Sequence, residues 1–538
     1  MTDVNTFPTL QAAESTTFTR PPFDQSLTVP ELYAFHAQHS PNHPLFVYST
    51  DSTGTCRELC YPEVYAAVQR AHDTITYATF LIGVMHAGLT PFPLSTNNSA
   101  VDVAHLIRTT ELRLLFVSQD AVMQSCALEA CAILKSEGID VHILPMPQFE
   151  DMYGQDNLTN RLPVVKNLLD PIVLMIHSSG STARPKPIPF SSSRFIKWGM
   201  LPYYGEIDMG GMVIGLHSSS LFRAIQMVWT TCSGVTIGCF KPASPPIAPT
   251  PELYLREIVA TNSRVVFCAP MFIEAWSRSP ANIDIMRNWS ALVYGGAPLA
   301  DSVGDRLVAA GVNLIPSYGT TEIGCISVFC PKSASADHWG FFKISSHVSA
   351  VMLPRSKNDD GEIVEPVVIS TEIFSPNVTN TMYQGQPAYA TKDLLLRHPT
   401  DKDKYRVHGR VDDQFTLSNG ANLSTCPSSE TQFLQDEHVT AAIVFGGGRL
   451  QIGVLIQPIK PFDPEDKEKL SAFRTMIWPT VEKINSAAST YSRISKEMIL
   501  AINPQKPLEF TPKGTPRRQI CLKQYNSEID ALYNAVNL

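Results

Sequence analysis

The stretch IVLMIHSSGSTARPK, residues 172–186, joins a short apolar run to a loop of hydroxyls, one glycine and a lysine. Two later stretches repeat the pattern, ALVYGGAP at 291–298 and VNLIPSYGTTE at 312–322. Each reads as a buried strand ending in a small, polar, glycine-bearing loop. From about residue 79 to 330 such runs alternate with helical patterns, which predicts an α/β architecture with a largely parallel sheet. Ligands of α/β folds bind at the carboxyl ends of parallel strands, so three such loops in one sheet are expected to converge on one site.

Outward from that core the chain changes texture. Residues 1–30 read as an extended lead-in, and Leu32–His39 and Tyr61–His72 have helical spacing. After about residue 337, short runs such as Ala350–Leu353 and Val367–Thr371 suggest antiparallel strands. Ala441–Phe445, three glycines, then Leu450–Ile456 read as a β-hairpin, and Lys467–Ile502 as mostly helical. A boundary is expected near residue 409, with a smaller α+β unit beyond it.

The 538 residues are 44% hydrophobic and 17% charged, which is globular composition and excludes disordered and fibrous classes. A formal net charge of −8 argues against a nucleic-acid binder. The N-terminus lacks an apolar leader core, and no apolar run is long enough to span a bilayer. The 11 cysteines have no zinc spacing and read as reduced thiols, so a cytoplasmic location is expected.

The loop His177–Lys186 carries the strongest local chemistry. Its hydroxyls, glycine and lysine suit phosphate oxygens. Pro185 and Pro187 flank Lys186, which excludes a Walker P-loop. The bland alternative is a solvated serine-rich turn.

Taken together the motifs resemble the adenylate-forming superfamily of acyl-CoA ligases, luciferases and synthetase adenylation domains. The loop is similar to Ser/Thr-Ser-Gly-Ser/Thr-Thr-Gly-x-Pro-Lys. Ser317–Glu322 matches Y-G-x-T-E, and Tyr389–Asp393 resembles Y-x-T-G-D. Gly409–Asp413 with Asn419-Gly420 matches G-R-x-D-D…N-G. Thr511–Arg518 resembles the late catalytic-lysine motif. The nearest likeness is to the adenylation domain of fungal synthetase-like carboxylic acid reductases. It rests on His177 opening the loop, the stretch Leu81–Ser95, and the Lys513-Gly-Thr515 form of the last motif.

The resemblance implies a large N-terminal adenylation domain of stacked mixed sheets and helices over residues 1–408. A hinge at 409–413 and a small mobile α+β C-terminal domain over 414–538 complete it. It also implies attack of a carboxylate on the α-phosphate of ATP, giving acyl-AMP and pyrophosphate, with Mg²⁺ present. Ser178, Ser179, Gly180, Ser181, Thr182 and Lys186 would then hold the β- and γ-phosphates. Tyr318 would stack on adenine, with Gly296, Ala297, Gly319 and Thr320 lining the nucleotide site. Thr321 would contact the α-phosphate, Glu322 would hold Mg²⁺, and Asp393 would accept the ribose hydroxyls with Arg410 nearby. His177 would touch the substrate carboxylate or gate the site, or else be satisfied by local hydrogen bonds. Asp412 would be the hinge, or a charge on a solvated turn. Lys513 would reach the α-phosphate from a shifted register, with Arg517 or Arg518 sharing the work, or lie in a basic tail.

His217, Phe222, Arg223 and Cys268 are expected at the acid pocket, with Met271, Phe272 and Trp229 as pocket or core. Amino-acid-activating relatives commonly place Asp where Arg223 stands. A cation there would repel an α-ammonium by about 4 kcal/mol at ~4 Å, so an aryl, keto or short aliphatic acid is expected. Arg223 facing solvent, or paired with a Glu, is the alternative. The resemblance implies transfer of the acyl group to a phosphopantetheine thiol on a carrier domain, followed by a reductase domain. Neither is found in this sequence. A free-standing acyl-CoA ligase and a degenerate nucleotide-binding relative remain as alternatives.

Three departures stand out. Ala183 and Lys392 replace glycines of the motifs, the second of which is expected to be tolerated. The run Gln69–Tyr77 looks shortened by a strand and a helix, which predicts an open sheet edge and lower stability before lost chemistry.

Overall fold

The computed structural model describes residues 7–535 except 25, 52–53, 69–72, 97, 154–169, 179–183, 216–219, 244–246, 333–337, 359–360, 412–414, 417–421, 424–425, 447–448, 450, 488–492 and 512–513.

A seven-stranded sheet forms the centre. Its strands run in the order Leu314–Ser317, Ala291–Gly295, Val265–Cys268, Val213–Gly215, Thr236–Cys239, Pro44–Ser49 and Cys56–Cys60. Every neighbouring pair is parallel except the last, where Cys56–Cys60 runs antiparallel along the edge. Val265–Cys268 and Thr236–Cys239 are buried at every position, as strands covered on both faces must be. Large aromatics fill the layer below: Trp229 lies 5.3 Å from Phe267 and 4.8 Å from Phe329, ring to ring.

The expected third strand of this sheet lies elsewhere. Ile172–His177 pairs antiparallel with Pro187–Ser191 in a separate two-stranded sheet. Leu174 and Ile176 are buried while Val173 and Met175, on the other face, are only half-buried, so the run alternates like a one-faced strand. Its hairpin partner is separated from it by only nine residues, so the pairing is local in sequence. The sheet recruits Pro44–Ser49 from the N-terminal region instead.

A second sheet of seven strands is wholly antiparallel. It orders Phe342–Lys343, Lys404–Arg410, Asp393–Arg397, Gly361–Ile369, Gln386–Ala390 and Thr381–Tyr383, with Ala350–Asn358 also on Gly361–Ile369. The C-terminal region has its own hydrophobic cluster, drawn entirely from Phe433 to Tyr533. Within it Val439–Phe445 and Gly453–Pro458 form the expected hairpin. Ile499–Ala501, read from sequence as the end of a helical region, is instead a strand parallel to Gly453–Pro458. Helices Lys467–Met476 and Trp478–Ala487 precede it.

The lead-in is clamped. Gln11 is fully buried and its amide donates to Pro202 O and Ile207 O, both at 3.0 Å. Thr28 and Glu31 then form a capping box that starts the helix Val29–His39. His36 of that helix is sandwiched between Phe18 and Tyr61, with ring centroids 4.7 and 4.6 Å away.

The shortened run at 69–72 lies outside the described residues. Among the described residues, Leu114–Val117 and His142–Pro145 form a sheet of only two parallel strands. Leu114, Phe116 and Leu144, which share one face of that sheet, are all exposed. No helix among the described residues is long and apolar enough to cross a membrane.

Candidate active site

The hairpin Ile172–Ser191 closes the base of the phosphate-type loop. Ser178 N donates to Lys186 O at 2.9 Å, and Lys186 N donates to Ser178 Oγ at 3.3 Å. The Lys186 side chain is exposed. Ser179, Gly180, Ser181, Thr182 and Ala183 lie outside the described residues, as do His217, Asp412 and Lys513. Phe222 and Arg223 fall in the helix Ser220–Ser233, but their side chains are outside the described set.

His177 is held on both ring nitrogens. Nε2 accepts from Ser95 N at 3.0 Å, which leaves Nδ1 to carry the proton and donate to Ser178 O at 3.0 Å. Asn98 Nδ2 lies 3.2 Å from the same Nε2. Burial pulls the ring's pKa below its ordinary value, so the ring stays neutral. A neutral, buried ring with both nitrogens engaged positions the loop. These contacts are the local hydrogen bonds that one of the two sequence readings expected.

Two strand ends meet beside this hairpin. Gly295 is the ladder partner of Ser317, so the exposed Gly296 and Ala297 stand next to the 317–322 loop. Gly319–Thr320 turns back on Gly324–Cys325 as a tight hairpin. A Cβ on Gly319 would lie 2.1 Å from Gly324 O, so only glycine fits there. Thr320 Oγ1 is buried with no hydrogen-bond partner among the described residues. Such an orphaned hydroxyl is costly unless a ligand satisfies it.

Thr321 and Glu322 are fixed through a residue the sequence did not single out. Asn377 donates from Nδ2 to Thr321 O at 2.9 Å and from its backbone N to Glu322 O at 2.7 Å. Arg194, from the helix that follows the phosphate-loop hairpin, donates to Asn377 O at 2.8 Å. Nothing in the sequence around Asn377 signals this role. The Glu322 carboxylate accepts no hydrogen bond from a described residue and remains partly exposed.

Tyr318, Asp393 and Arg410 form one buried network. Asp393 and Arg410 are opposite each other in the antiparallel ladder. Tyr318 Oη donates to Asp393 Oδ2 at 2.8 Å, and Arg410 NH1 donates to Asp393 Oδ1 at 2.7 Å. Burial, then the Asp393 charge, holds the Tyr318 phenol well above its usual range. One face of the Tyr318 ring is stacked on Phe342, 5.0 Å away and 17° from parallel.

Lys392, expected to be tolerated beside Asp393, adopts φ +59°. That is the left-handed region, where a Cβ costs about 1–2 kcal/mol. Its N–H is held by Glu365 Oε1 at 3.2 Å, and Arg355 pairs with the same carboxylate through Nε at 2.8 Å. Lys392→Gly is therefore expected to stabilise the fold by about 1 kcal/mol in urea unfolding. A loss of stability would contradict that account.

Several expected pocket or catalytic residues are committed elsewhere. Cys268 is fully buried at a strand end, its thiol pushed up in pKa by burial, and Phe272 and Trp229 are core; Met271 is exposed. Arg518 pairs with Glu430 and donates to Val444 O at 2.7 Å. Arg517 is buried against Asp102, 2.8 Å away. Both arginines are thus held in ion pairs.

These features describe a nucleotide-handling α/β domain followed by a small C-terminal unit. Residues 69–343 match the model of the AMP-binding enzyme family, and residues 412–537 match that of the AMP-binding enzyme C-terminal domain. The chain belongs to the AMP-binding enzyme family, among the adenylate-forming enzymes. It is 36% identical to adenylate-forming reductase Nps10 of Heterobasidion annosum, over 98% of this chain and 52% of that protein. It is 27% identical to a carboxylic acid reductase of Neurospora crassa, over 86% of this chain and 44% of that protein. The chain thus spans about half the length of the curated relatives it matches. The fold is also that of the A domain of the carboxylic acid reductase from Segniliparus rugosus, solved with AMP and a co-purified carboxylic acid. There the TM-score is 0.65 at 14% identity, covering 95% of each chain.

Proposed function

We propose that this chain activates a carboxylic acid with ATP, forming acyl-AMP and releasing pyrophosphate. The observation that carries this reading is the Tyr318–Asp393–Arg410 network, set beside the 317–322 loop and fixed by two short hydrogen bonds. A buried carboxylate with two oxygens held in place is preorganised for ribose hydroxyls. Tyr318 offers its ring to adenine, with Gly296, Ala297, Gly319 and Thr320 around it. Ser178–Thr182 and Lys186 bind the β- and γ-phosphates, Thr321 the α-phosphate, and Lys513 approaches that phosphate from the C-terminal unit.

Glu322 fits Mg²⁺: a lone, partly solvated carboxylate suits an ion that keeps several waters and shares phosphate oxygens. Bound there, the ion would neutralise charge on the phosphates. Asn377 keeps the Glu322 backbone in position for it.

The domain reading has 1–408 as the AMP-binding part, a hinge at 409–413 turning on Asp412, and 414–538 as the mobile part. The separate Phe433–Tyr533 core supports it. An arginine at position 223, where amino-acid-activating relatives commonly place Asp, favours an acid without an α-amino group. The names of the relatives support later reduction, and our reading places transfer to a carrier-domain phosphopantetheine thiol before it.

An ATP–pyrophosphate exchange panel across aryl, aliphatic, keto and amino acids tests this. Exchange with a non-amino acid and none with α-amino acids is expected. Exchange with amino acids but not with benzoates would overturn the acid class. Measurable ATP binding without exchange for any acid would overturn the enzymatic reading. AMP release that depends on CoA would replace the carrier thiol by CoA.

A further inference from the structure

Asp102 has no part in the family motifs quoted above, yet both its oxygens are engaged at a buried position. It sits in the first turn of the helix Ala100–Thr110, where its N–H donates to Ser99 Oγ at 3.2 Å. Arg184, within the phosphate-type loop segment, donates to Oδ1 at 2.8 Å. Arg517, from the late motif 415 residues away, donates to Oδ2 at 2.8 Å. The Arg517 side chain is 1% exposed and that of Asp102 5%.

The two arginines come from two different parts of the chain. Ser95 holds His177, before the loop, and Asp102 holds Arg184, after it. On the other side Arg517 fastens the late-motif turn. Its Nε donates to Phe510 O at 3.2 Å and its backbone N to Glu509 O at 2.8 Å. Thr511 N donates to Thr515 O at 2.8 Å, and the two threonine hydroxyls lie 2.8 Å apart, closing the turn in whose sequence Lys513 falls.

We infer that Asp102 is a positioning residue that docks the late-motif turn, through Arg517, onto the same carboxylate that anchors the phosphate-loop segment through Arg184. The arrangement rests on the adenylation reading for its purpose. It sets the C-terminal turn against the loop while acyl-AMP forms. When the C-terminal unit moves away, Arg184 stays behind as the resident partner of Asp102, so the buried carboxylate is never left without a counter-charge. A paired, fully desolvated guanidinium serves here as a releasable catch.

The test compares Arg517→Gln, Arg517→Lys, Asp102→Asn and the Arg517→Gln/Asp102→Asn double variant with the unaltered full chain. Exchange kinetics are read with whichever acid the panel identifies. Deuterium uptake is read over residues 99–106 and 509–518, and melting temperature checks the fold. Arg517→Gln is expected to lower kcat by roughly thirtyfold or more while KM for ATP moves less than about threefold. The double variant should be no slower than the slower single variant, because both remove one interaction. Arg517→Lys should recover part of the rate. Uptake at 509–518 should rise in both single variants. Wild-type kcat in folded Arg517→Gln, additive losses in the double variant, or unchanged uptake at 509–518 would each overturn the inference. If the unaltered chain exchanges with no acid, the proposed function fails, and the deuterium measurement alone still decides the docking role.

Discussion

Asp393→Ala is expected to lower acid-dependent ATP–pyrophosphate exchange by at least a factor of about 100, equivalent to ~2.7 kcal/mol of transition-state stabilisation. The substitution removes the acceptor for the Tyr318 hydroxyl and the counter-charge of Arg410 together. Removing one partner of a buried ion pair typically costs ~3–5 kcal/mol. Arg410 is about a third exposed, so the lower end applies here. The melting temperature should fall with the rate. Asp393→Asn separates the two effects: it keeps an acceptor for Tyr318 but loses the charge. It should melt closer to the unaltered chain and still exchange slowly. Full exchange activity in Asp393→Ala would remove the network from the active site.

Acidification is expected to unfold the chain while many carboxylates are still ionised. Burial pushes the His36 ring down to about 3 and the His347 ring to about 4. His43 and His177 are also lowered by burial. The folded chain keeps these rings neutral where the unfolded chain would protonate them near pH 6.5. Their stabilisation is complete above that pH and is lost as pH falls toward the folded values. By pH 4 the loss is roughly 3 kcal/mol for each of His36 and His347. That is large against the ~5–15 kcal/mol of a typical fold.

Burial keeps the His36 ring neutral, even though its bond to Thr231 O by itself favours the charged form. Nε2 donates to Thr231 O at 2.7 Å, which leaves Nδ1 to accept from Ser40 Oγ at 3.1 Å. Tryptophan fluorescence against pH should show cooperative unfolding between about pH 4 and 5. His36→Gln should be less stable at pH 7 yet lose less between pH 7 and 4. An acid limb parallel to that of the unaltered chain would show that His36 does not drive it.

The sequence made the strand-end loops legible because their chemistry is local. Glycine at Gly319 and acidic side chains at Glu322 and Asp393 announce themselves within a few residues. Long-range partners were not legible. Asn377, Arg194 and Asp102 are ordinary polar residues whose importance comes from contacts 56, 183 and 415 positions away in sequence. His177 was ambiguous because one residue type serves both chemistry and hydrogen-bonded anchoring. The Ser95 and Ser178 contacts are of the anchoring kind. The misplaced strand has a similar cause. Ile172–His177 has the composition of a buried parallel strand, but a sequence pattern does not reveal which ladder it joins. Lys392 illustrates a subtler limit, since side-chain size was visible and backbone sign was not.

The place of Pro44–Ser49 in the central sheet has a consequence for how the chain is made. Phe46 aligns with Ile237, so this early strand has no parallel neighbour until residues 236–239 have been synthesised. At ~5–20 residues per second the ribosome takes roughly ten to forty seconds to cover that interval. For that time the apolar run Leu45–Tyr48 has only the short antiparallel edge Cys56–Cys60 to pair with. The nascent chain is therefore most exposed to aggregation, and most dependent on chaperones, from the emergence of this strand until residue 239 has been translated, before the chain is half made.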